Sequence, residues 1–87
     1  MDGYVISEKD WQLILNDFQK RNLSFFDVES SISLVVGRQW IVWKKSYEEC
    51  NGLHQRLSLI LDILGPESFF HWLMADLGLG PYELNME

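Results

Sequence analysis

The sequence predicts an α+β domain, in which a small antiparallel β-hairpin or three-stranded sheet packs against about three helices. Three observations lead there. Ser30 to Ser46, SSISLVVGRQWIVWKKS, holds two short apolar runs, Ile32–Val36 and Trp40–Trp43, separated by Gly37-Arg38. Both runs are rich in β-branched and aromatic residues, which suit a pleated, half-buried surface. The flanking stretches instead space their apolar residues at helical intervals. An all-α bundle is the alternative, with the same stretch helical throughout.

Each element follows from local chemistry. Tyr4-Val5-Ile6 is a brief β-prone run suited to an edge strand. Ser7 is a helix N-cap with Asp10 three residues on, and Trp11, Ile14, Leu15 and Phe18 then trace one helical face. Leu13 lies off that face. Lys20 and Arg21 complement the dipole in the last turn, and Asn22 suits the C-terminal cap. Residues 23–29 read two ways: a helix capped by Ser24 with Phe25, Val28 and Ile32 on one stripe, or a turn into the first strand.

In the hairpin, Gly37-Arg38 forms a type II′ turn. Leu34 then faces Ile41 and Ile32 faces Trp43, which makes Ile32, Leu34, Ile41 and Trp43 the core side. Val35 pairs with Trp40 on the outer side, followed by Lys44. Ser46-Tyr47-Glu48-Glu49 resembles a second capping box, although Asn51-Gly52 either weakens that helix or delays its start to Leu53. Leu53, Leu57, Ile60, Leu61 and Leu64 form a buried stripe that Gly65-Pro66 terminates. Pro66 opens a further helix whose apolar face is Phe69, Phe70, Leu73, Met74 and Leu77. The chain reads as a single domain over residues 1–87, with 79–87 an irregular strap or mobile tail.

Composition bounds the function. With 47% hydrophobic residues and four Trp, three Tyr and five Phe, the chain fills a core without metal or disulfide staples. A net charge of −6 opposes general binding to phosphate backbones or anionic membranes and suits a basic partner. Residues 1–29 carry six acidic and three basic side chains, and residues 46–87 carry seven and one. Ser30–Ser46 reverses this balance, with three of the chain's seven basic residues and no acid. One cysteine permits no internal disulfide, and neither a secretory signal nor a membrane span is readable, so a cytoplasmic protein is expected.

No catalytic constellation emerges. Cys50 and His54 are one helical turn apart and His71 lies on the next helix, yet no second cysteine or CxxC pair completes a zinc site. No serine sits in a GxSxG elbow, and Gly78-Leu79-Gly80 runs into proline instead of a helix. The expectation is a non-enzymatic protein-binding module with no cofactor: an inhibitor, antitoxin or immunity-type protein, or a nucleic-acid mimic, acting on a basic or nucleic-acid-handling protein. Its candidate contacts are Arg38, Trp40, Lys44 and Lys45 on the hairpin, Leu59 and Ile63 as a second apolar ridge, and Trp72 at its helix margin. Two alternatives use parts of this set. A nucleic-acid-binding regulator would use the cations and tryptophans of the hairpin, and a homodimeric adaptor would pair through Leu59 and Ile63.

Overall fold

Capping chemistry sets out the helices. In the computed structural model, which describes residues 6–82, Ser7 Oγ accepts the Asp10 N–H at 3.2 Å and starts α1, Glu8–Arg21. Asn22 closes it in the left-handed conformation (φ 58°). Its N–H reaches the Gln19 carbonyl at 3.2 Å and the Leu23 N–H reaches Phe18 at 3.2 Å, the pairing of a Schellman end. Ser24 then forms a reciprocal capping box with Asp27, with bonds of 2.8 and 3.1 Å, and opens α2, Phe25–Val36. The helical reading of residues 23–29 is the one the chain adopts.

The α+β expectation fails at the next step. Among the described residues there is no strand, and the domain is all-helical. Gly37 has φ 66° and ψ −137°, the conformation of the first position in a type II′ turn. Arg38 and Gln39 then curl into a short 3-10 turn that runs directly into α3, Trp40–Glu48. The glycine turns the chain as its neighbours imply, but between two helices. The physical reason lies in the periodicity. Val28 and Ile32 are completely buried at i, i+4, while Trp40 and Tyr47 are buried with Trp43 half-buried, a spacing of i, i+3, i+7. A lone two-stranded hairpin would leave ladder groups unpaired at both edges, whereas each helix satisfies its backbone internally.

Two further expectations are corrected. Leu34 and Ile41, assigned to the core by the hairpin register, are 86% and 82% exposed. Ser46 starts no helix, because Ser46 and Tyr47 occupy the last turn of α3. The delayed start is realised: Asn51 precedes α4, Gly52–Leu64, with the Asn51 N–H donating to Gln55 Oε1 at 2.6 Å. Of the proposed edge strand, Tyr4 and Val5 lie outside the described residues, and Ile6 is buried without strand pairing.

The second half follows its punctuation closely. Gly65 (φ 85°) ends α4, and Pro66 takes the first position of α5, Pro66–His71. The helix widens into a π turn over Trp72–Asp76, where the Leu77 N–H donates to Trp72 at 3.1 Å. Beyond Gly78, Leu79 is buried, and Gly80 N–H and Tyr82 Oη both donate to Asp17 Oδ2 at 3.3 and 2.7 Å. Up to Tyr82 the tail is therefore a strap fastened across α1.

One apolar cluster joins these parts, and it contains no buried polar or charged residue. α1 packs on α4, and α4 folds back on α5. The Trp11 ring stands 4.4 Å from His54 of α4 and 6.2 Å from Phe69 of α5. The α2–α3 hairpin closes the other side through Trp72, whose Nε1–H donates to Ser31 Oγ at 2.9 Å. Gly37→Ala is expected to cost about 1–3 kcal/mol, since alanine must enter a region that L residues avoid. Urea unfolding checks this; an unchanged midpoint would show that the elbow relaxes without that conformation.

Candidate partner-binding surface

The hairpin of α2 and α3 has a locked inner side and a bare outer end. On the inner side, Trp40 Nε1 donates to Glu29 Oε2 at 3.2 Å, and the Trp40 ring meets Tyr47 edge-on at 5.4 Å. Tyr47 Oη donates to the Phe25 carbonyl at 2.7 Å, tying the last turn of α3 to the first turn of α2. Arg56 of α4 completes this end. Its guanidinium lies 4.1 Å from the Phe25 ring and 5.2 Å from that of Tyr47, and it donates to the Gly52 carbonyl at 3.1 Å. Burial, partly offset by the nearby Arg56 charge, pushes the Tyr47 phenol up to about 12.

The opposite end is the elbow, where α2 passes through Gly37–Gln39 into α3. Here Leu34 (86% exposed), Val35, Ile41 (82%) and Val42 (64%) all face solvent. Four aliphatic side chains exposed between positions 34 and 42 form a concentration that single surface leucines do not produce. Arg38, Lys44 and Lys45 are exposed on the same segment, and none of them is ion-paired among the described residues. Helix geometry sets Ile41 and Lys45 one turn apart on the outward side of α3. Two exposed aromatics, Phe25 and Phe26, lie at the far end of α2.

The candidate contacts read from the sequence therefore divide. Arg38 lies at the elbow, Lys44 in the middle of α3 and Lys45 in its last turn, all three exposed. Trp40 and Trp72 are buried, 7% and 1% exposed, with both indole N–H groups bonded internally. Truncating either ring would damage the core before it touched any contact. Leu59 and Ile63 are half-buried against the core of the same domain. Sequence reasoning missed Leu34 and Ile41 as surface groups, and had Val35 on the outer side, where it is. The signal was present in the helical wheel, since Leu34 falls well off the Val28–Ile32 stripe.

No family model, curated protein or solved structure matches the chain.

Two other regions hold polar side chains. An open groove of about 880 Å³ runs along α1 beside the strap, lined by Leu13, Asp17, Lys20, Phe70 and Tyr82 among others. Asp17 is already committed there as acceptor for the strap. Burial first, and then the bond to the Asp17 carboxylate, raises the Tyr82 phenol above its ordinary range. The three metal-ligand candidates stay apart in role: Cys50 Sγ bonds to the Ser46 carbonyl, His54 packs on Trp11, and His71 is exposed. Among the described residues no three His, Cys, Asp or Glu side chains could together hold a metal ion. No helix among them is long and apolar enough to cross a membrane.

Tyr47 yields a pH prediction. Its phenol moves from 10.0 to about 12 on folding, so between those values the unfolded chain ionises while the folded one stays protonated. Its contribution is full below pH 10 and is lost as the pH rises toward 12. Tyr47→Phe should cost about 1 kcal/mol at pH 7 through the lost bond. It should also fall less steeply than wild type in urea unfolding from pH 9 to 12. Parallel curves would remove Tyr47 from that dependence.

Proposed function

We propose that the protein is a non-enzymatic binding module that engages a partner protein through the α2–α3 elbow. One observation carries the reading: Leu34, Val35, Ile41 and Val42 are exposed together in a domain whose buried core is otherwise wholly apolar. Exposing aliphatic surface costs about 25 cal/mol per Å² against burial, and a partner that covers it recovers that energy. Locking of the hairpin by Tyr47 and Trp40 on its inner side favours docking with little ordering cost. Such a contact fits the inhibitor, antitoxin or immunity class of small proteins, which act by occupying a partner's surface.

The other readings have less to rest on. Stacking on single-stranded nucleic acid needs exposed rings beside cations, and Trp40 points inward. Pairing through Leu59 and Ile63 would use side chains already half-covered by their own core.

Site-specific photo-crosslinking tests the proposal. A benzophenone side chain at position 34 or 41, irradiated in cells of the native host, should trap a discrete protein adduct. The same group at the exposed Asp62 of α4 should not. Equal trapping at all three positions, or trapping at 62 alone, would place the contact elsewhere.

A further inference from the structure

We propose that residues 80–82 are a latch: Asp17 of α1 holds them shut, and a turn of its carboxylate to Arg21 lifts them while the helices stay folded. Nothing in this device depends on the elbow. Both strap bonds end on one atom. Gly80 N–H and Tyr82 Oη donate to Asp17 Oδ2 at 3.3 and 2.7 Å, the shorter being the charge-assisted contact of a hydroxyl with a carboxylate. Rotation of one half-buried side chain therefore breaks the two bonds together. Leu79 marks the fixed end, since its side chain is buried and its N–H donates to the Leu73 carbonyl at 2.9 Å. Beyond Leu79, Asp17 is the one hydrogen-bond acceptor that the strap reaches among the described residues.

A released Asp17 has a second partner within reach. Arg21 stands one helical turn on and Lys20 three residues on, and neither is ion-paired among the described residues. An acid four residues before a base is the favourable order for a pair on a helix. Arg21 is also close enough to Tyr82 for its charge to offset part of the rise that burial and Asp17 impose on the phenol. Opening thus exchanges one partner of the carboxylate for another, which is what a two-state element requires.

The closed path itself admits only glycine at position 80. Gly80 has φ 82°, and an added Cβ would stand 2.9 Å from the Tyr82 backbone nitrogen and 3.2 Å from Met74 Cγ. Under the strap lies apolar surface. The Tyr82 ring meets Phe70 edge-on at 6.4 Å, and Phe70 and Ile14, 2% and 1% exposed, line the groove beside Leu13 and Pro81. Lifting residues 80–82 takes Pro81 and Tyr82 off that wall and bares Phe70 in an apolar slot.

Amide hydrogen exchange of the ¹⁵N-labelled full chain reads the latch at Gly80, whose N–H is one of the bonded donors. In wild type, exchange at Gly80 should be nearly independent of urea below the unfolding transition, while that of the buried Leu57 and Ile60 rises steeply. Equal urea dependence would overturn the latch, because the strap would then open only by unfolding. Asp17→Ala should speed exchange at Gly80 by about tenfold, the loss of roughly one net hydrogen bond. If that variant unfolds, Tyr82→Phe should still speed it measurably; an unchanged rate in the folded variant would overturn the latch. Arg21→Gln should slow exchange at Gly80 by about twofold by withdrawing the competing partner. An unchanged rate there would overturn the exchange of partners. Gly80→Ala should hold the strap open and raise the fluorescence of Nile red, a neutral apolar dye, above its level with wild type. A folded Gly80→Ala without that rise would overturn the slot.

Discussion

Two buried indole N–H groups from different parts of the chain end on one helix. Trp40 of α3 donates to Glu29, and Trp72 of the π turn donates to Ser31, two positions further along α2. An indole N–H left without an acceptor in a core costs about 1–3 kcal/mol. Each ring can therefore be buried only where α2 presents an oxygen. This constraint fixes α2 between its hairpin partner and the α5 region, and so joins the two halves of the domain. Ser24 and Asp27 hold the start of α2, and Gly37 sets its end.

The same constraint exposes the elbow. With Val28 and Ile32 turned inward and Ser31 committed to Trp72, α2 has no inward position left for Leu34. In α3 the three inward positions are taken by Trp40, Trp43 and Tyr47, which leaves Ile41 and Val42 outside. Apolar residues in excess of what one core can bury have to face outward somewhere. Here four of them, Leu34, Val35, Ile41 and Val42, flank the turn at Gly37, while Leu13, Phe25 and Phe26 are exposed elsewhere.

Much of this was legible in the sequence. Ser7, Asn22, Gly65 and Pro66 mark helix ends by mechanisms that act over three or four residues, and each mark holds. Gly37 was legible as a turn but not as a turn between helices, because its own conformation suits both and only the flanking periodicity separates them. Residues 30–46 misled because Ile, Val and Trp favour strands by a margin smaller than tertiary packing supplies. Burial of Val28 and Ile32 on one side of α2, and of Trp40 and Tyr47 on one side of α3, overrode that preference. The candidate contacts inherit the same error: Trp40 was read as outward and Leu34 as inward, and the helical register exchanges them. Arg38, Lys44 and Lys45 were legible because surface cations stay on the surface in either register.

The central claim is that Leu34 and Ile41 stand outside the packed core and do not hold the fold together. Equilibrium urea unfolding of Leu34→Gln, Ile41→Gln and the double variant tests it most directly. The structure predicts stabilities within about 0.5 kcal/mol of wild type, as for surface substitutions. A loss of about 2–5 kcal/mol at either position, the cost of emptying a core site, would contradict it.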